Sequence, residues 1–241
     1  MVETLLLTVV RISPTLQNQK LSNATGFFFR REGRLFLVTS RHVVLDERTK
    51  HRPDRIEIEL HVDPSNVTVV EQRSIPLYLN GQALWREASD TGGLLDVVTI
   101  ELDPMTLPNT LLYQAFSVEH LVNTLDDIEV GARVLVAGFP LGFHDELHRL
   151  PVTRQAVIAS SFGLRFQGQG YFLTDARLHR GMSGAPVVAR IATEQSGRQS
   201  LPWYLLGIHS ARMDVSNRDA TQDERLDLNC AWYANALLSL T

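Results

Sequence analysis

Three residues in this 241-residue chain are of the types that build an acyl-transfer site: His42 in "FLVTSRHVV", Asp96 at the head of "DVVTIELD", and Ser183 in "RGMSGAPVV". A serine hydroxyl is a poor nucleophile until an imidazole of near-neutral pKa takes its proton. A buried carboxylate must then hold that imidazole in the right tautomer and stabilise the imidazolium. Taken singly, each residue has an ordinary reading: a satisfied histidine, a strand-end carboxylate, a serine in a tight turn made by Gly181 and Gly184. The combination is more specific than its parts. A histidine follows a strand, an aspartate precedes one, and a serine sits in Gly-x-Ser-Gly, in that order and spread over both halves of the chain. Glycines beside the serine also let backbone N–H groups approach a developing alkoxide.

Other chemistries fit less well. The Gly-x-Ser-x-Gly elbow of α/β-hydrolases fails because Ala185 replaces the last glycine and a strand, not a helix, follows; the order serine, acid, histidine would leave only Glu194 and His209. His144 and His148 are four residues apart, a spacing that on a helix could hold a metal. The segment reads instead as a solvated loop, with no third ligand at a credible spacing and no cofactor required. Cys230, the one cysteine, lies in "NCAWYANALLSL", which reads as a packed helix rather than a reactive thiol's surroundings.

The elements that must position the three residues are strands. "TLLLTVVRI", "ATGFFFRR", "RLFLVTS", "RIEIELHV", "SIPLYLN" and "DVVTIELD" precede a proline-bearing stretch, and "ARVLVAGFP", "RQAVIASSF", "GYFLTDA", "APVVARI" and "WYLLGIHSA" follow it. In "RIEIELHV", Ile56, Ile58, Leu60 and Val62 alternate with polar residues, as a half-buried strand requires. The expectation is an all-β protein of two antiparallel six-stranded β-barrels with a cleft between them and a short C-terminal helix. The boundaries fall at 1–105 for the first barrel, 106–129 for a connector with one helical turn, 130–227 for the second barrel and 228–241 for the helix. Loops 81–94 and 143–152 would border the cleft.

Composition sets the class. With 44% hydrophobic and 21% charged residues, the chain can bury a sizeable core. A formal charge of −4, with Arg30, Arg31 and Arg34 scattered among acids, offers nucleic acid no net attraction. The opening "MVETLLLTVVRISP" carries an acid where a secretion signal needs positive charge and alternates like a strand, and no run approaches the ~18 apolar residues of a membrane span. A single cysteine suits a reducing compartment. The expected setting is soluble and cytoplasmic, with no membrane or nucleic-acid partner.

The blocks "TGFFFRREGRLFLVTSRHVV", "DVVTIELD", "TDARLHRGMSGAPVV" and "LLGIHSA" resemble, in order, the motifs of chymotrypsin-like (trypsin-fold) serine proteases, especially bacterial and heat-stress-type members. The resemblance implies His42 and Asp96 on the first barrel, Ser183 on the second, and hydrolysis of peptide bonds in protein substrates through an acyl-enzyme. It also implies an oxyanion hole from the N–H groups of Gly181 and Ser183. Ile208 to Arg212 would be the strand that pairs with substrate backbone, with Ser210 supporting the aspartate. His209 resembles the pocket histidine of glutamyl endopeptidases and picornaviral main proteases, which implies Glu or Gln before the scissile bond. Three positions depart from the pattern. Met182 stands where trypsins carry the aspartate that receives a newly cut N-terminus, Arg212 where many relatives have glycine, and Leu178 or Arg177 where a hydroxyl would support the pocket histidine. The alternative of another class is a latent or non-catalytic module of the same fold, active only when a regulatory protein partner orders the oxyanion loop.

Overall fold

The computed structural model describes residues 2–122, 128–191, 201–212 and 227–241. In chain order the first half holds β1 (Val9–Leu16), β2 (Gln19–Lys20), β3 (Ala24–Arg31) and β4 (Arg34–Thr39), then the single turn α1 (Arg41–Val44). β5 (Arg55–His61), β6 (Val70–Pro76), the ribbon β7 (Tyr78–Leu79) with β8 (Gln82–Ala83), β9 (Trp85–Asp90), β10 (Gly93–Leu102) and β11 (Phe116–Ser117) follow. The second half holds β12 (Arg133–Gly138), β13 (Val152–Val157), β14 (Tyr171–Thr174), β15 (Pro186–Arg190), β16 (Trp203–Arg212) and β17 (Asn229–Tyr233), and ends in α2 (Leu237–Leu240).

Two sheets result. The first runs β6-β5-β1-β3-β4-β10-β9, with β2 beside β1 and β11 parallel to β3. The second runs β13-β12-β15-β16-β17-β14, and a bridge between Ile158 and Thr174 joins its two ends. This is the all-β, two-barrel architecture expected, the first sheet carrying extra short strands. Among the described residues no helix is long and apolar enough to cross a membrane.

Why these segments are strands is visible in their burial. β5 buries Ile56, Ile58 and Leu60 and leaves the residues between them half-exposed. β3 shows no alternation because both of its faces are covered. Phe28 points into the first barrel with Ile12, Leu37 and Ile58, while Phe27 and Phe29 point to a shared core with Val188, Ile208 and Trp232 of the second half. A third cluster, including Val136, Phe172 and Val187, fills the second barrel. Each fully buried phenylalanine in the shared core contributes about 2–3 kcal/mol by area removed from water, so the two barrels are welded by apolar contact.

Three segments differ from the sequence expectation. Residues 81–94, expected as a loop, contain β8 and β9; β9 reads "WREASD" because it is an edge strand that buries little beyond Trp85. Within the expected connector, Phe116–Ser117 returns to pair with β3 and a short 3-10 turn stands at Val118–His120, while another, Pro104–Thr106, straddles its start. The C-terminal helix does not begin at 228. Asn229–Tyr233 is a strand paired with both β14 and β16, and only Ala234 onward turns helical. Ladder bonds from two neighbouring strands override the helix preference of Ala231 and of the alanines and leucines that follow the strand.

Candidate active site

The cleft side chains come from strand ends. β4 stops at Thr39, where its pairing with Val98 of β10 ends, and the chain turns into α1, so His42 leaves the sheet edge on a rigid turn. Arg41 pins that turn from outside: its guanidinium meets Glu47 at 2.8 Å and Glu87 of β9 at 2.9 Å. Hydrogen bonds from the Arg41 guanidinium hold the Glu47 carboxyl down at about 2. Asp96 lies in β10 where the register with β9 slips between Leu94 and Val98, an irregularity that re-aims a side chain out of the ladder.

Asp96 receives three donors. Its Oδ1 accepts the His42 backbone N–H at 2.8 Å, and its Oδ2 lies 2.7 Å from His42 Nδ1 and accepts the Ser210 hydroxyl. With Nδ1 donating, His42 Nε2 is left as an acceptor, and the Ser183 hydroxyl stands 2.8 Å from it. The arrangement can move a proton from Ser183 to His42 while Asp96 remains ionised.

Ser183 sits in a turn that only glycine allows on either side. Gly181 has φ +95° and Gly184 φ +86°, and a Cβ on Gly184 would stand 2.2 Å from the Thr25 carbonyl oxygen. Thr25 of β3 holds the turn from the other barrel: its N–H donates to Ser183 O at 2.9 Å and its hydroxyl to Gly181 O at 2.7 Å. Nothing in the sequence singled out Thr25, because its partners are about 150 residues away.

The Arg180–Gly181 peptide has a defined direction. Arg180 C=O accepts the Leu141 N–H at 2.6 Å, and in a trans peptide the next N–H points the opposite way. Among the described residues the N–H groups of Gly181 and Ser183 donate to no acceptor, and Gly181 lines the space in front of Ser183. Met182 is fully buried in the second barrel's core, its sulfur against Gly138. An apolar anchor therefore holds the loop where an ion pair would otherwise be needed.

Two clefts flank Ser183. One of about 250 Å3 is lined by His42, Leu178, His179, Arg180, His209, Ser210 and Ala211. The other, of about 320 Å3, is lined by residues that include Asn23, Asp46, Thr49 and His51. His209 and Ser210 are both buried, in β16, and the structure brings them to the serine. Leu178 is buried and Arg177 pairs with Asp227, and neither side chain carries a hydroxyl to offer the pocket. Arg212 closes β16 opposite Asn229; its side chain lies outside the described residues.

Two other candidates are accounted for. His144 Nδ1 meets Gly142 O and His148 Nδ1 meets Asp145, so in this non-helical loop each ring turns to its own neighbours. Cys230 is in β17, and burial pushes its thiol up to about 11, which keeps it protonated.

The trypsin-like peptidase domain family matches residues 24–192, a stretch that holds His42, Asp96 and Ser183. This chain belongs to that family. Among solved structures, the trypsin-like domain is similar to the serine endoprotease from Yersinia pestis, with TM-score 0.55 and 15% identity over 97% of this chain. It spans 61% of that protein's length, and at this identity the likeness is one of fold. No curated protein matches this chain.

The site's electrostatics give a first prediction for it. Burial opposes charging of His42, but the hydrogen bond and charge of Asp96, with Asp46 behind it, outweigh burial and raise its pKa above 6.5. Because His42 must be neutral to accept a proton, kcat/KM should rise with pH along a limb centred above 6.5. In Asp96→Asn the midpoint should fall, since burial then dominates. The stability linked to this raised pKa is full below 6.5 and lost as pH climbs through the folded value, so activity and this contribution run in opposite directions. A pH-rate profile beside an NMR titration of His42 checks both; a limb centred well below 6.5 in the wild type would contradict the ion-pair geometry.

Proposed function

We propose that the chain is a serine endopeptidase acting on protein substrates, with Ser183 as nucleophile, His42 as general base and acid, and Asp96 as its orienter. The observation that carries this is the continuous line of contacts from Asp96 Oδ2 through His42 to Ser183 Oγ, at 2.7 Å and 2.8 Å. Ser183 Oγ attacks the scissile carbonyl carbon as its proton passes to His42 Nε2. The carbonyl oxygen takes the electron pair and is met by the N–H groups of Gly181 and Ser183. His42 gives its proton to the leaving amine as the C–N bond breaks, leaving an acyl-enzyme. Water, deprotonated by His42, then attacks the ester and Ser183 leaves with the proton restored. Asp96 keeps its charge throughout and stabilises the imidazolium.

Substrate side chains before the scissile bond enter the cleft of His209, Leu178 and Arg180. His209 can hydrogen-bond a carboxylate or amide there, and Arg180 adds positive charge, which favours Glu or Gln. Ser210 and Arg212 belong to the strand that pairs with the substrate backbone. A mixed peptide library should show cleavage after Glu or Gln that is absent with the Ser183→Ala variant. Cleavage confined to Arg, Lys or large apolar residues would remove the Glu/Gln reading. No cleavage by wild type would favour a latent module that needs a protein partner.

A further inference from the structure

A second cavity lies away from the serine. It has about 440 Å3, within the range of about 300–1,000 Å3 usual for ligand pockets, and none of its lining residues borders either cleft at Ser183. Its walls are Leu45, Tyr78, Ala83 and Trp85, with the Tyr78 and Trp85 rings packed edge to face at 5.2 Å. Tyr78 and Ala83 face each other across the β7–β8 ribbon, so the wall is a fixed backbone pairing. Its lining also carries charge: Glu47, Glu87 and the exposed Arg52.

These charges are not equivalent. Both acids are already taken by Arg41, at 2.8 Å and 2.9 Å. Arg52 lies over the Tyr78 ring, 5.1 Å from its centroid, and among the described residues forms no ion pair. Stacking on a ring face leaves the in-plane N–H groups of a guanidinium free to grip a carboxylate in two-point fashion. Lys50, on the same turn, is exposed, and the Arg48 guanidinium stands 4.0 Å from Asp46 Oδ2. An apolar, aromatic-lined pocket beside a cation that lacks a carboxylate is complementary to one kind of occupant.

We propose that this cavity is a docking site for a peptide segment of a protein partner, one that places a large apolar side chain between Leu45, Tyr78 and Trp85 and an adjacent carboxylate on Arg52. The site does not depend on the chemistry at Ser183. It stands beside the same Arg41 that pins the His42 turn, so an occupant sits against the outer face of that turn.

The probe is a fluorescein-labelled, N-acetylated peptide amide of sequence Gly-Gly-Glu-Phe-Asp-Gly-Gly, titrated by anisotropy against the full chain carrying Ser183→Ala to prevent turnover. Saturable binding is expected, weakened at least tenfold by Arg52→Glu and by replacing phenylalanine with serine in the probe. Ala83→Trp, which fills the cavity, should remove binding. A probe with lysine in place of both acids should prefer the Arg52→Glu protein. This charge exchange keeps the test decisive if Ala83→Trp fails to fold. Absence of saturable binding, or binding indifferent to Arg52→Glu and to the loss of phenylalanine, would overturn the proposal and assign any remaining affinity to the cleft at Ser183.

Discussion

Replacing His42 with alanine should lower kcat by about 10^4- to 10^6-fold and abolish labelling of Ser183 by a serine-directed fluorophosphonate probe. The reason is local. The Ser183 hydroxyl has Nε2 of His42 at 2.8 Å and the Ser210 carbonyl at 3.1 Å, and only the imidazole can hold its proton as the oxygen attacks. Without it the nucleophile must ionise unaided, from a pKa far above neutrality. The substitution removes a partly exposed ring, so at a pH above its folded pKa, where the stability linked to its charge is already lost, the thermal midpoint should change little. Peptide mapping of the labelled protein, with Ser183→Ala as blank, reads the result. Labelling of Ser183 that survives His42→Ala would mean that another group activates the serine, and the assigned roles would fall.

The second large effect belongs to Gly181. An alanine there must adopt φ near +95°, and its Cβ would stand 2.3 Å from the Phe139 carbonyl oxygen and 3.0 Å from Leu141 N. The neighbours are backbone atoms and cannot rotate away. The Arg180–Gly181 peptide must therefore move, its carbonyl loses the Leu141 N–H, and the Gly181 N–H leaves the position in front of Ser183. Loss of one such donor lowers kcat by about 10^2- to 10^3-fold. Ground-state affinity should change far less, because the donor meets an oxyanion that exists only at the transition state. Gly33→Ala is the control: its φ is +76°, but a Cβ there meets nothing within 4 Å. It should carry only the backbone strain, on the order of 1–2 kcal/mol, with kcat unchanged. Full activity in Gly181→Ala would show that the amide is not an oxyanion donor.

Burial of Met182 bears on how such a loop is kept ready. A side chain with no exposed surface, packed against Gly138 and within the second barrel's core, anchors the peptide between the two glycines by apolar contact, while the Met182 N–H donates to His179 O and its C=O accepts the Ala185 N–H. Thr25 then ties that peptide to the first barrel from both Gly181 and Ser183. Position and orientation of the turn thus derive from folding of the two halves against each other, through the core that Phe27, Phe29, Ile208 and Trp232 share.

What the sequence alone determined is whatever has a local signature. Alternation in "RIEIELHV" specifies a half-buried strand, and β5 buries Ile56, Ile58 and Leu60 of it. Glycines on both sides of one serine announce positive φ, which Gly181 and Gly184 have. A histidine after one strand and an aspartate before another were legible as types and as an order along the chain. Their mutual distances were not legible, since a contact between His42 and Ser183 spans 141 positions and leaves no periodic trace. The tertiary structure alone decided the rest. Asn229–Tyr233 became a strand because β14 and β16 offered ladder partners on both sides, although Ala231 and the alanines and leucines after the strand favour helix. Leu141 turned the Arg180 carbonyl, Arg41 found Glu87 on another strand, and Arg52 came to lie over Tyr78, all through long-range packing. Local propensity is set by a residue and its neighbours in the chain, whereas the direction of an amide or the walls of a cavity are set by whichever distant segments fill the remaining space.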